Sequence, residues 1–134
     1  MLFEAIDHPA IACADSQRLI DWYCQNLGLR VIASNDQTPP SAILGYSADA
    51  CGGAMIEMMP AKEPGACPAQ TPRFCPGLRH LALRVGNFDT AYAQLETAGV
   101  KFLGQPIDAL GGGRIVSFRD PEGNELQIVQ RDRS

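Results

Sequence analysis

The segment that decides the fold is His80-Leu-Ala-Leu-Arg-Val-Gly-Asn87, because an earlier segment, His8-Pro-Ala-Ile-Ala-Cys-Ala-Asp15, has the same pattern. Both read as histidine, any residue, alanine, a branched aliphatic residue, two variable residues, a small residue, and then aspartate or asparagine. An internal repeat of this kind indicates that the chain contains two copies of one structural unit.

Each copy runs into a pattern that is typical of a helix and ends at a glycine. Asp15 is expected to cap a first helix that stops at Gly28, and Asn87 or Asp89 to cap a second that stops at Gly99. Apolar residues recur at helical spacing in both segments: Leu19, Ile20, Tyr23 and Leu27 in the first, and Phe88, Tyr92 and Leu95 in the second. Short strands are predicted directly after the two glycines, at residues 29–33 and 100–103.

The correspondence between the halves continues beyond these strands. Residues 43–46, Ile-Leu-Gly-Tyr, match residues 115–118, Ile-Val-Ser-Phe. A glycine also stands four residues before Glu57 and four residues before Gln127. Each half is therefore predicted to form a strand, a helix and three further strands, which makes the fold class α+β with two tandem βαβββ modules.

The two modules are expected to belong to one domain that covers residues 1–134. The first module is predicted at about residues 1–59 and the second at about residues 78–134. Between them, five prolines stand four residues apart from position 60 to position 76. Proline at this spacing excludes a regular helix or a central strand, so residues 60–77 are predicted to be a linker.

Composition limits the classes of function. The chain has 134 residues, of which 46% are hydrophobic and 19% charged, with a formal net charge of −4 and no basic run. A nucleic-acid or anionic-membrane surface is therefore not expected, and no apolar run approaches the roughly 18 residues of a membrane span. The N-terminus has no basic leader region, which predicts a cytoplasmic protein. The five cysteines form no Cys-x-x-Cys pair, so reduced thiols are expected.

Three residues predict a metal site. The only two histidines, His8 and His80, stand at matching positions of the repeat. Glu57 lies in the apolar run Ala-Met-Ile-Glu-Met-Met, where a carboxylate is expected to be buried, and burial is costly unless the charge is paired or bound to metal. Two histidines with one or two oxygen ligands can hold a divalent ion, and a hydrogen-bonded structural role for each histidine is the alternative.

The chain resembles the vicinal oxygen chelate superfamily, which includes glyoxalase I, bleomycin-resistance proteins and extradiol dioxygenases. The resemblance implies a glyoxalase-like domain, in which curved mixed sheets of paired βαβββ modules form a cleft for a metal ion or a small-molecule ligand. It also implies a homodimer whose cleft is shared between the two chains. The stretches that carry it are residues 15–23 followed by Leu27-Gly-Leu29, residues 77–85, residues 95–100, and Phe118-Arg-Asp-Pro-Glu-Gly-Asn124.

Carried over residue by residue, the metal positions of glyoxalase-like relatives fall on His8, Glu57, His80 and Gln127. The family usually has glutamate where this chain has Gln127, so the amide oxygen is expected to replace a carboxylate. Glu125 lies on the same strand face and is the alternative, but its spacing from the preceding glycine favours position 127. The implied cofactor is a divalent ion of zinc, nickel, cobalt, manganese or iron.

The resemblance also implies a chemical role for both halves. Glyoxalase I has a substrate-binding arginine four residues after the first ligand, where this chain has Ala12, while the repeat partner of that position is Arg84. We therefore expect that the two halves of the chain have exchanged their roles relative to glyoxalase I, so that Arg84 holds a substrate anion and Glu57 is the base. The implied function is a metal-dependent lyase or isomerase acting on a small α-oxygenated carbonyl compound or its conjugate. The alternatives are a metal-free, bleomycin-resistance-type ligand-sequestering protein and an extradiol-type dioxygenase.

Overall fold

The protein consists of two compact units, Met1–Pro64 and Gly65–Ser134, each built on its own four-stranded mixed sheet. The computed structural model describes residues 2–47 and 54–132. The predicted α+β class with two βαβββ modules is confirmed, because each unit contains one strand, one helix and three further strands in that order.

The first unit contains four strands and one helix, namely β1 (Ala10–Cys13), α1 (Ser16–Leu27), β2 (Arg30–Ser34), β3 (Ala42–Gly45) and β4 (Met55–Pro60) within the described residues. Its sheet order is β1-β4-β3-β2. Strands β1 and β4 are parallel, and the other neighbouring pairs are antiparallel.

Helix α1 has the ends and the buried face that its sequence predicts. The Asp15 side chain accepts a hydrogen bond from the Arg18 backbone nitrogen, and Gly28 ends the helix at a φ of 73°, which favours glycine. Leu19, Ile20 and Tyr23 are buried at helical spacing. The helix therefore covers one face of the sheet and leaves the opposite face for other contacts.

The second unit repeats the element order of the first, with β5 (Leu81–Arg84), α2 (Phe88–Thr97), β6 (Ile107–Asp108), β7 (Arg114–Arg119) and β8 (Glu125–Gln130). Its sheet order is β5-β8-β7-β6, with β5 and β8 parallel. A short 3₁₀ helix at Pro68–Gln70 precedes the sheet, within the predicted linker.

The strand predicted at residues 100–103 is wrong. Within the described part of the chain, that segment makes one isolated bridge, from Phe102 to Phe118, and the second strand of the unit is β6. The Phe102 ring stacks on Tyr92 of α2 with centroids 4.1 Å apart and meets Phe118 edge-on. Aromatic packing against the helix thus positions this segment, rather than a ladder of hydrogen bonds.

Asn87, not Asp89, is the N-cap of α2. Its side chain accepts a hydrogen bond from the Thr90 backbone nitrogen, and Asp89 lies in the first turn of the helix. The helix ends at Thr97, and Gly99 follows with a φ of 88°. The predicted glycine stop is therefore confirmed to within two residues.

Side chains alternate between the two faces of the sheet along β7 and β8, so that one face is buried and the other is polar. Leu126, Ile128, Val116 and Phe118 are almost fully buried. The residues between them, which include Ser117, Glu125 and Gln127, point to the other face. That second face carries the polar side chains of the candidate site.

Two further findings concern the described residues. Among residues 2–47 and 54–132, no helix is long and apolar enough to cross a membrane. The four cysteines in these ranges form no disulfide bond, namely Cys13, Cys24, Cys67 and Cys75.

Candidate functional site

In the first unit, the fold brings His8 and Glu57 together. His8 lies two residues before β1, and the parallel pairing of β1 with β4 places Glu57 opposite Ala10. His8 Nε2 lies 3.6 Å from Glu57 Oε2, and each side chain is 34% exposed. The expectation that Glu57 is buried is wrong, because Ile56 and Met58 point to the buried face of β4 and leave Glu57 on the accessible one.

Asp7 is a member of this site that the sequence reasoning missed. Its Oδ2 lies 2.7 Å from His8 Nδ1, so the carboxylate accepts a hydrogen bond from that nitrogen. This contact raises the pKa of His8, and the charges of Asp7 and Glu57 raise it further, against an opposing effect of burial. A carboxylate on Nδ1 fixes the ring and leaves Nε2 as the nitrogen that faces Glu57.

In the second unit, Gln127 lies at the centre of the polar face. It pairs with Ala82 of β5 on one side and with Ser117 of β7 on the other. Gln127 Nε2 donates a hydrogen bond to Ser117 Oγ at 3.0 Å. The amide nitrogen is thereby engaged with the sheet, and the amide oxygen is the atom that remains for a cation.

Glu125 is held by an arginine from the predicted linker. Arg73 Nε and Nη2 donate to the two oxygens of Glu125 at 2.7 and 3.0 Å, and the Glu125 side chain is only 8% exposed. The Arg73 hydrogen bonds lower the pKa of Glu125, and Ser117 and the charge of His80 lower it further, against the effect of burial. Both oxygens of Glu125 are therefore engaged by Arg73, whereas no arginine contact is found for Gln127 among the described residues.

His80 also lies near a carboxylate, but at a longer distance than His8. Its Nδ1 lies 3.9 Å from Glu125 Oε2, beyond hydrogen-bond distance, and its side chain is 41% exposed. In the first unit the neighbouring carboxylate is the preceding residue, Asp7, at 2.7 Å, whereas in the second it comes from a different strand.

A cavity of about 450 Å³ opens on the polar face of the second unit. Arg84 is exposed on β5 beside Val129 and does not line this cavity. Two other arginines do line it, Arg73 of the predicted linker and Arg79, which directly precedes His80, and neither was predicted as a site residue. The lining residues are Arg73, Phe74, Arg79, His80, Leu103, Gly104, Gln105, Ile107, Ile115, Val116, Ser117, Glu125 and Gln127.

The donor set fits a divalent metal ion in its chemistry. Two ligand atoms that share an ion at about 2.0–2.2 Å lie roughly 3–3.5 Å apart, close to the separation of His8 Nε2 and Glu57 Oε2. Imidazole, carboxylate and amide oxygen are all ligands of such ions. No group of three or more His, Cys, Asp and Glu side chains suited to a metal occurs in the described ranges. The donor atoms that lie at a ligand-like separation are those of His8 and Glu57 in the first unit.

Comparisons with known proteins agree with the geometry of the fold. A family model described as the glyoxalase/bleomycin resistance protein/dioxygenase superfamily matches residues 5–128. The chain is 31% identical over 133 residues to the uncharacterized protein YwkD of Bacillus subtilis, covering 98% of this chain and 100% of that protein.

Two solved structures are informative. A glyoxalase family protein from Enterococcus faecalis has a TM-score of 0.74 and 25% identity, covering 96% of this chain and 99% of that one. TnmS3, an antibiotic binding protein from a Streptomyces species, has a TM-score of 0.70 and 19% identity, covering 98% and 99% of the two chains. The second likeness concerns the fold alone.

Proposed function

Because the chain belongs to the glyoxalase/bleomycin resistance protein/dioxygenase superfamily, we propose that it is a metal-dependent lyase or isomerase. Its substrate would be a small α-oxygenated carbonyl compound or a conjugate of one. The observation that carries this proposal is the Asp7–His8–Glu57 arrangement, in which Nδ1 is held by one carboxylate while Nε2 faces another at 3.6 Å. An oriented imidazole beside a half-exposed carboxylate is typical of a metal site.

The residues that would hold the ion are His8, Glu57, His80 and Gln127. The ion would be zinc, nickel, cobalt, manganese or iron in the divalent state. The two pairs of donors come from different modules, and we propose that a homodimer joins them in a cleft shared between the chains. When bound, the ion supplies Lewis-acid stabilisation of negative charge on a substrate oxygen.

Glu57 is the proposed base. Its carboxylate would accept a proton from the hydroxyl-bearing carbon beside the substrate carbonyl and return it to the former carbonyl carbon, while the hydroxyl proton passes to the other oxygen. The two carbons thereby exchange oxidation level, which is an isomerisation. Its accessible position on β4 supports this role, because a substrate can reach a side chain that is 34% exposed. Arg84, exposed on the same strand face as His80, would hold an anionic group of the substrate.

Elemental analysis of protein purified without chelator tests the proposal. We expect stoichiometric metal after incubation with nickel, zinc, cobalt or manganese, and its loss in His80→Ala. The matched control is Arg131→Gln, since Arg131 lies in the same unit and its side chain donates to the main-chain oxygens of Leu110 and Gly112 rather than to a proposed metal ligand. Metal well below stoichiometry in the wild type under all four conditions would overturn the enzyme proposal.

A ligand-sequestering function is the second candidate. The cavity on the second unit favours it, because five apolar side chains line it and would cover a small molecule without any metal. The fold likeness to an antibiotic binding protein is compatible with this function. Stoichiometric metal that His80→Ala removes would argue against sequestration, whereas ligand binding by chelator-treated protein without turnover in the metal-loaded form would favour it.

A further inference from the structure

We propose that Arg79 forms an anion-binding site in the cavity of the second unit, and that this site takes a small monoanion with an apolar body, such as a carboxylate. This deepens the proposed function by naming the class of ligand, and it rests on that function only for the use of the same cavity. The proposal follows from the charges and the shape of the cavity lining.

Arg79 gives the cavity lining a positive charge that is not paired with a carboxylate among the described residues. Arg73 is matched by Glu125 through two charged hydrogen bonds. Arg79 instead donates to neutral acceptors, namely the main-chain oxygens of Pro72 and Gly77 and the sulfur of Cys75. Among the residues that the structure describes, no ion pair involves Arg79. An anion that enters the cavity therefore meets an uncompensated guanidinium in a partly enclosed, apolar setting.

The Arg79 guanidinium is already held in place. Nη1 lies 3.1 Å from the Pro72 oxygen and 2.9 Å from Cys75 Sγ, and Nε lies 3.4 Å from the Gly77 oxygen. These contacts tie the side chain to the turn that precedes β5. A guanidinium fixed in this way loses little further freedom when Nη2, the nitrogen that none of these three contacts uses, donates to an anion.

The walls of the cavity suit an apolar body attached to the anion. Leu103, Ile107 and Ile115 line it from the β6–β7 side, and Phe74 lies at its linker side. Ile107 is 65% exposed and Phe74 is 90% exposed, so both leave apolar surface that a ligand would cover. The volume of about 450 Å³ falls in the range of about 300–1,000 Å³ that small-molecule sites occupy.

The proposal is tested on chelator-treated protein with phenylacetate and its neutral isostere phenylacetamide. Binding is measured by isothermal titration calorimetry and by backbone amide chemical shifts. We expect phenylacetate to bind at least about ten-fold more tightly than phenylacetamide, with shifts concentrated at His80, Ser117 and Ile115 and a preference that falls with added salt. Equal binding of the two probes, or no phenylacetate binding up to about 10 mM, would overturn the proposal.

Variants locate the charge. Arg79→Gln should bind both probes equally, and Arg79→Lys should keep part of the preference because it retains the charge without the planar fork. Arg131→Gln is the matched control, because Arg131 also bonds to main-chain oxygens in this unit but does not line the cavity. An unchanged preference in Arg79→Gln would overturn the assignment. If that variant does not fold, an unchanged preference in Arg79→Met would do so.

The metal proposal and the anion proposal fail in different ways. The anion test uses protein without metal, so a negative result leaves the elemental analysis and the His80→Ala result unaffected. A protein that binds no metal but prefers phenylacetate through Arg79 would retain the anion site and lose the enzyme proposal.

Discussion

Replacing Arg73 by glutamine should destabilise the protein more than replacing its partner Glu125. The two side chains form a bidentate ion pair, but they are unequally exposed, at 36% for Arg73 and 8% for Glu125. Removal of Arg73 leaves a nearly buried carboxylate whose remaining hydrogen-bond partner is Ser117. Removal of the carboxylate leaves a guanidinium that can turn to water.

The magnitude follows from this asymmetry. Breaking a fully buried ion pair from one side costs about 3–5 kcal/mol. Because Arg73 is partly exposed, water screens part of its attraction, and we expect Arg73→Gln to lower the free energy of unfolding by about 2 kcal/mol. Glu125→Gln should cost about 1 kcal/mol, and the double variant should cost less than the sum of the two.

The pH dependence of this loss has a definite sign. Arg73 lowers the folded-state pKa of Glu125 below the usual 4.5, so the pair stabilises the fold fully above that value. The stabilisation is lost as the pH falls through the lowered pKa, because Glu125 then becomes protonated. Urea unfolding followed by circular dichroism should therefore show a gap between wild type and Arg73→Gln that is largest at neutral pH and closes in acid.

Two results would refute this reasoning. If Arg73→Gln costs no more than Glu125→Gln, the carboxylate is not desolvated to the degree that its exposure implies. If the difference in free energy of unfolding between wild type and Arg73→Gln is the same in acid as at neutral pH, the ionised carboxylate of Glu125 is not what makes Arg73 stabilising, and the contribution of Arg73 comes from packing. Arg131→Gln serves as the control for loss of an arginine from this unit without loss of an ion pair.

Three further predictions follow from particular contacts. Gly113→Ala should lower the free energy of unfolding by about 2–4 kcal/mol in urea titrations, because the φ of Gly113 is 104° and a Cβ there would overlap a main-chain oxygen of β8. The control is Gly65→Ala, which should change the free energy of unfolding little because a Cβ at Gly65 would contact no other atom of the described residues. Asn87→Ala should cost about 1 kcal/mol in the same assay through loss of the α2 cap, and no loss would contradict the cap assignment. Asp7→Asn should move the pKa of His8 down toward its usual 6.5, as followed by the ring proton resonances, and an unmoved titration would exclude the Asp7 contact as its cause.

Much of the fold could be predicted because it depends on local signals. Asp15, Gly28 and Asn87 act through hydrogen bonds and dihedral angles within one turn of chain, and these are encoded in residue type. The second strand of the second unit could not be predicted in the same way. Phe102 is held by aromatic contacts with residues that are distant in sequence, and these contacts outweigh its β propensity.

The site was predictable only in part for the same reason. The repeat singled out His8 and His80, and the apolar run singled out Glu57, but neither signal identifies the groups that orient them. Asp7 could have been found, since a carboxylate next to a candidate ligand is a recognisable pattern. Arg73 could not, because only the folded linker brings it to Glu125, which lies far along the chain.

The two units differ in the charges that surround their repeated histidines. In the first unit Asp7 and Glu57 both lie beside His8, so carboxylates predominate there, as the proposed proton transfer by Glu57 requires. In the second unit the carboxylate of Glu125 is paired with Arg73, and Arg79 adds a cation to the cavity lining. The cavity of the second unit therefore carries the positive charge that the proposed binding of an anion needs, and the first unit has no such arginine beside its histidine among the contacts that the described residues make.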